Sequence, residues 1–160
     1  MSTPDGIELR CSAVVIRGQA VLLLRRGHGA ATDWVLPGGT PRHAESMSAC
    51  ARREVLEETG LHVDPSRVAF VLEVLGPEGG PRTVDIVFSA TDTARTEQPW
   101  PREPGLDPVF VPVDQLHELD LRPPLAGHLR RLTAQRGRQY APYLANLWRP
   151  RGSRARAGRD

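Results

Sequence analysis

The sequence predicts one mixed α/β (α+β) domain. Three features carry that reading: two pairs of apolar, strand-like runs, a proline- and glycine-free helical stretch between them, and a second helix towards the C-terminus. Residues 9–16 are apolar-rich, Arg17-Gly18-Gln19 supplies a turn, and residues 20–24 run apolar again, which is a hairpin by length and turn chemistry. Residues 28–33 read as a loop, and Trp34-Val35-Leu36-Pro37 as a short extended piece that feeds Gly38-Gly39. Residues 46–59 contain no proline or glycine and several good helix formers, so a helix is expected there. Gly60 should end it, because glycine alone enters the left-handed C′ conformation without strain. Residues 68–75 and 83–90 form a second hairpin around the Gly/Pro-rich turn 76–81, and 97–108 is a proline-rich loop. A strand is expected at 109–113, a short helix at 114–118 and a longer helix at 123–135. No repeat or second domain is visible.

Composition bounds the function classes. A chain of 160 residues suits one domain with a real core, and 39% hydrophobic with 25% charged residues is the balance of a soluble globular protein. No apolar run approaches the roughly 20 residues that span a bilayer. The start Met1-Ser2-Thr3-Pro4-Asp5 lacks the basic and apolar parts of an export signal, so the expected location is cytoplasmic and no membrane partner is expected. Cys11 and Cys50 sit in apolar patterns on the first strand and the central helix. They read as buried small residues, not a disulfide, metal pair or nucleophile. Every basic side chain is arginine, which together with abundant Ala, Gly and Pro looks like the codon bias of a GC-rich, bacterial-like genome. The net charge of +2 is unevenly placed: residues 149–160 hold five arginines and one aspartate, a charge of +4 that leaves −2 on the rest. Domain and tail therefore divide at 1–148 and 149–160, the latter expected to be flexible. Such a tail attracts polyanions through phosphate contacts, although a solvated terminus is the simpler reading, so a nucleic-acid partner is not expected. Residues 141–148 are unusually apolar for a chain end and should pack on the domain body or on a second subunit, which keeps a homodimer open.

The helix at 46–59 carries the chemistry. Glu54, Glu57 and Glu58 stand at i, i+3 and i+4, three carboxylates on one face. Like charges so placed destabilise a helix by roughly 0.2–0.5 kcal/mol per pair, and the dipole at a helix C-terminus favours cations instead. A hard divalent cation turns that repulsion into a ligand set, since magnesium binds through carboxylates plus substrate phosphates. A solvated acidic face with Arg53 as counter-charge is the competing account.

The offsets around these glutamates decide between the two. The stretch Gly39-x5-Glu45-x7-Arg53-Glu54-Val55-x-Glu57-Glu58-x-Gly60-Leu61 resembles the signature box of the Nudix hydrolase family at every defining position. With seven fixed identities, a chance match is on the order of one in 10^9 per start position at average residue usage. The order of hairpin, short strand, helix, hairpin and C-terminal helix is also similar to the Nudix fold, an α/β/α sandwich with a mixed sheet. The resemblance implies hydrolysis of a nucleoside diphosphate linked to another moiety. It also implies Mg2+, with Mn2+ as a substitute, and a small-molecule nucleotide diphosphate derivative as partner.

Within the box, Glu54 and Glu58 are four apart and form the best pair for direct metal ligation, while Glu57 would hold a further metal or its water. The resemblance implies a backbone carbonyl in the metal shell, with Gly38 favoured. Gly38 and Gly39 let the backbone turn tightly before the helix. Arg53 and Glu45 are eight apart, about two helical turns, and a charged hydrogen bond between them would hold the neighbouring carboxylates in place. A carboxylate must accept the attacking water's proton. The resemblance places it among the box glutamates or on a loop outside, with Glu54 preferred and Glu57 second. Asp85, Glu97, Glu103 and Asp107 are further acidic candidates. The chain departs from many family members at Arg42 and Ala44, where those carry a glutamate and a glycine. Arg42 adds charge near the box and is a candidate contact for a substrate phosphate.

The box reads only the diphosphate. Trp34 and Trp100, expected in loops, are the candidate stacking platforms for a base. Pro77, sixteen residues after the box, resembles ADP-ribose-cleaving members, while nucleoside triphosphates and dinucleoside polyphosphates stay open. The alternative function is a catalytically silent nucleotide or ADP-ribose sensor, disfavoured because intact Glu54, Glu57 and Glu58 cost stability with no cation to hold. A prenyl-diphosphate isomerase would need a cysteine–glutamate acid–base pair that neither cysteine convincingly supplies.

Overall fold

A computed structural model describes residues 6–95, 97–135 and 142–151. In chain order the elements are β1 (Glu8–Arg17), β2 (Ala20–Arg26), β3 (Asp33–Val35), β4 (Gly38–Gly39), α1 (Met47–Thr59), β5 (Val63–Leu75), β6 (Arg82–Asp92), β7 (Leu106–Pro112), α2 (Ala126–Ala134) and β8 (Tyr143–Asn146). Short 3-10 turns occupy Gly29–Ala31 and Val113–Glu118.

The strands form a mixed sheet in the order β3-β2-β1-β6-β5-β8, with β4 also on β1 and β7 also on β2. β1 runs parallel to β6 from Glu8↔Thr83 to Val15↔Ala90, and β5 and β6 make the long antiparallel hairpin. Successive side chains of a strand face opposite sides, and β1 shows the consequence. Cys11, Ala13 and Val15 pack with Cys50, Ala51 and Val55 of α1, whereas Val14 and Ile16 join Leu129 and Leu132 of α2. One helix thus covers each face of the sheet, the expected sandwich.

The first hairpin splays. β1 and β2 pair only next to their turn, at Ile16↔Val21 and Arg17↔Ala20. Beyond it β1 pairs with β4 and β6, and β2 with β3 and β7. Both strands are apolar without alternation, and such strands are covered on both faces and flanked on both edges. β5 starts earlier than the expected residue 68. Pro65 lies within it beside register shifts at Pro65/Arg67 and Val68/Phe70, and bulges are where a strand tolerates proline. The expected loop 97–108 is shortened because Leu106, Asp107 and Pro108 pair with Arg26, Arg25 and Leu24. α2 is shorter than expected, beginning only at Ala126, after Pro123 and Pro124.

The apolar C-terminal segment packs on its own domain. β8 adds to β5 at Val71↔Tyr143 and Glu73↔Asn146, and the Asn146 side chain bonds the backbone N–H and C=O of Leu75. Arg149, which the sequence assigns to the arginine-rich tail, donates to Asp120 (3.1 Å) and to the Leu121 carbonyl (2.9 Å). Residues 152–160 of that tail lie outside the described residues. No helix among the described residues is long and apolar enough to cross a membrane.

Candidate active site

α1 is placed by chemistry at both ends. The Ser46 hydroxyl accepts from the Ala49 N–H, and Gly60 takes φ 75 with its N–H donating to the Leu56 carbonyl. Cys50, Ala51 and Val55 anchor the inner face, and burial pushes the Cys50 thiol up to about 12, so it is inert filling. β4 then brings the backbone against the helix. A Cβ on Gly39 would lie 2.5 Å from the Glu54 carboxylate, and one on Gly38 would lie 2.5 Å from the Cys11 carbonyl oxygen. Both glycines are therefore dictated by close approach, Gly39 by Glu54 and Gly38 by β1.

Arg53 is the hub. Its Nε and Nη2 donate to the two Glu45 oxygens at 2.7 and 2.9 Å, and its Nη1 donates to Glu54 at 2.6 Å and Glu57 at 3.0 Å. The Arg53 bond, helped by the Arg42 backbone N–H, holds the Glu45 carboxyl down to about 2. Arg53 itself is raised further into its charged state, chiefly by Glu45. Arg42 donates to Glu57 at 3.0 Å through its guanidinium and to Glu45 at 2.9 Å through its backbone N–H. Ala44 sits at φ 60, a left-handed position that suits the glycine many family members carry there.

Glu58 faces the other way. It is 6% exposed, and its Oε2 accepts from the Gly38 N–H at 3.0 Å. Burial pushes its pKa up to about 8, against the Gly38 bond and the Arg10 charge, with Glu54 and Glu103 adding to the rise. The three carboxylates that the spacing stacks on one face are thus divided: Arg53 draws Glu54 and Glu57, and β4 draws Glu58. Among the described residues no three His, Cys, Asp or Glu side chains converge as a ready-made cation cage.

The loop after β6 is fastened to the C-terminal end of α1. Trp100 N–H donates to the Thr59 carbonyl, and Arg102 donates to the Leu56 carbonyl at 3.1 Å. Trp100 is 55% exposed, stacked by Arg102 and lying against Gly60, where a Cβ would meet its Nε1 at 2.5 Å. Of the acidic residues outside the box, Glu103 on this loop acts on Glu58 by charge, whereas Asp107 pairs with Arg25 away from it. Trp34 is not a loop residue: it belongs to β3, exchanges backbone bonds with Asp120 and Arg122, and packs against the core.

A second polar group escaped the sequence reading as a unit. Arg10 donates to Ser12 (3.1 Å), Ser12 donates to Asp85 (2.8 Å), and Asp85 is buried, with burial raising its pKa against Arg10 and Ser12. All three line a cavity of about 540 Å3 on the sheet face opposite α1, whose other wall includes Trp148 and Arg149. The signal for it is a serine and an aspartate inside otherwise apolar strand runs, CSAVV and VDIVF.

A two-faced mixed sheet, a glycine pair and a glutamate helix held by one arginine define the architecture of a Nudix protein. A NUDIX domain model matches residues 8–134, and the chain belongs to the Nudix hydrolase family. Solved structures agree on the fold. A NUDIX hydrolase from Nitrosomonas europaea superposes with TM-score 0.67 at 22% identity, covering 85% of this chain and 93% of its own. An ADP-ribose pyrophosphatase from Streptococcus suis gives 0.64 at 21%, covering 88% and 100%. A MutT NUDIX hydrolase from Burkholderia pseudomallei gives 0.57 at 24%, covering 69% and 86%.

Proposed function

We propose that this chain hydrolyses a diphosphate linkage in a nucleoside di- or triphosphate derivative, using Mg2+ or Mn2+, by attack of water at phosphorus. The observation that carries the reading is Glu58, a carboxylate buried against Gly38 on which the Glu54 charge bears. A buried carboxylate pushed up to about 8 gains most from a neighbouring cation, and an all-oxygen donor set suits magnesium or manganese. The residues that would hold the ion are Glu54, Glu57 and Glu58 with the Gly38 carbonyl. Such an ion would supply charge neutralisation at the phosphates and a more acidic water.

The remaining work falls to the chain. Arg53 holds Glu45, Glu54 and Glu57 in one network and keeps their carboxylates oriented. Glu54 is the preferred acceptor of the water's proton at its carboxylate, with Glu57 second. Arg42, whose guanidinium donates to Glu57, is the proposed contact for a phosphate oxygen. Trp100 offers an exposed ring at the end of α1 for stacking, while Trp34 is withdrawn into the packing. An ADP-ribose pyrophosphatase and a MutT hydrolase among the structural relatives put ADP-ribose and nucleoside triphosphates on the substrate panel.

The test is product release from nucleoside triphosphates, ADP-ribose, nucleotide sugars and dinucleoside polyphosphates, with magnesium and with manganese, beside Glu54→Gln and Glu58→Gln. Turnover of a panel member that both variants lose is expected. Binding without turnover would make the chain a nucleotide sensor instead.

A further inference from the structure

We propose that the cavity on the α2 face selects the substrate's heterocyclic base, with Asp85 as hydrogen-bond acceptor and Arg149 as donor; this rests on the nucleotide-hydrolase reading above. Asp85 is 4% exposed. Its Oδ2 accepts from Ser12 at 2.8 Å and lies 3.6 Å from Arg10 Nε, but its Oδ1 has no partner among the described residues. On the same cavity, Arg149 spends Nη2 on Asp120 and the Leu121 carbonyl, while its buried Nε has no partner among the described residues. Those are the only two buried side-chain polar atoms without a partner among the described residues, and both belong to residues that line one cavity. Buried polar groups are almost always satisfied, so an unmet acceptor and an unmet donor sharing a cavity point to a ligand that supplies the complements.

The complements are an N–H group and a neighbouring lone pair on one molecule. A nucleobase edge carries both. A phosphate carries only acceptors and would meet the Asp85 carboxylate with like charge; of the other arginines of the wall, Arg10, Arg26 and Arg122 are engaged and Arg151 is exposed. Arg26 grips Asp33 at 2.8 and 2.9 Å, and Arg122 pairs with Asp120 at 3.1 Å. The volume, about 540 Å3, is that of a small-molecule site, and Trp148 with Pro81 and Pro123 gives it flat apolar walls for a ring. The cavity also adjoins the box. Ser12 of its lining stands opposite Gly38 across β1 and β4, Gly38 donates to Glu58, and Arg10 bears on Glu58 by charge.

The test is calorimetric binding of AMP, GMP, CMP, UMP and ribose 5-phosphate to the full chain, without metal and with magnesium. It includes the analogue of the tightest base that lacks its N–H donors (purine riboside 5′-monophosphate for a purine). The variants are Asp85→Asn, which turns a donor towards the cavity, and Arg149→Lys, which keeps the charge at Asp120 but removes the Nε donor. Expected is binding of one base at least about tenfold tighter than of ribose 5-phosphate and of the N–H-less analogue. Asp85→Asn should erase that preference and Arg149→Lys should weaken the tight base. Thermal unfolding of each variant checks that the fold persists. Equal binding of the base-less or N–H-less probe, or an unchanged preference in Asp85→Asn, overturns the proposal even if hydrolysis is found. Base-selective binding that depends on Asp85 upholds it even if no substrate is turned over, in which case the hydrolase reading alone fails.

Discussion

Exchanging Glu58 for glutamine removes a charge that the fold holds almost out of water while leaving an amide oxygen to accept the Gly38 N–H. The folded pKa of about 8 lies above the ordinary 4.5. Below about pH 4.5 both folded and unfolded chains carry the proton, and burial costs nothing. Between 4.5 and about 8 the unfolded chain releases it while the folded chain retains it, so wild-type stability falls as pH rises through this window, and above about 8 the loss is complete. The interval corresponds to a ceiling of ~5 kcal/mol, which relaxation and water entry reduce to roughly 2–4 kcal/mol. The assay is urea unfolding of wild type and Glu58→Gln in excess chelator from pH 5 to 9, read as the difference between the two, so that other titrating groups cancel. Glutamine should be nearly neutral at pH 5 and stabilising by a few kcal/mol at pH 9, worth roughly 2–4 °C per kcal/mol in a domain of this size. Adding magnesium should then stabilise wild type more at pH 8 than at pH 5, since a ligand must be deprotonated, and should do little for the variant. A difference that is flat across the pH range, or of opposite sign, refutes the claim that Glu58 is a buried charge kept for a cation.

Three further outcomes follow from backbone geometry. Gly39→Ala drives a Cβ against the Glu54 carboxylate, which can swing away but not stay in place. Turnover should fall by about 10²-fold, with stability within about 1 kcal/mol of wild type, by kinetics and thermal unfolding. Ala44→Gly relieves a left-handed alanine at φ 60 and, after glycine's extra chain entropy, should stabilise by roughly 0.5–1 kcal/mol in denaturant titration. Gly60→Ala meets both φ 75 and the Trp100 ring, and should cost at least about 1–2 kcal/mol while shifting tryptophan emission as the ring is displaced.

What was legible in the sequence is what depends on local chemistry. Ser46 and Gly60 frame α1 because capping is decided by the residues at the helix ends. The Arg53–Glu45 pair was visible because eight residues is about two turns, although Glu45 lies just before the helix it joins. What was not legible depends on partners distant in sequence. Ser12 and Asp85 are 73 residues apart, and only the parallel pairing of β1 with β6 brings them together. Spacing places Glu54, Glu57 and Glu58 on one face but is silent on Gly38, whose N–H draws Glu58 away from the other two. Trp34 looked like a loop residue because a strand of three residues has no periodicity to show, and its backbone bonds go to Asp120 and Arg122. β5 hid its first paired residues behind Pro65, a residue that breaks the strand pattern but is tolerated beside a bulge.

To an incoming cation, Arg53 is a rival already on the premises. Its guanidinium holds one oxygen of Glu54 and one of Glu57 within 3.0 Å, so a cation at these carboxylates would share them with a fixed positive charge. An ion taken up at the other Glu54 oxygen, Oε2, would leave those bonds in place, with Glu45 holding the guanidinium there. On the proposed reading, α1 would be a site whose negative charge Arg53 balances until the cation and the substrate's phosphate oxygens arrive.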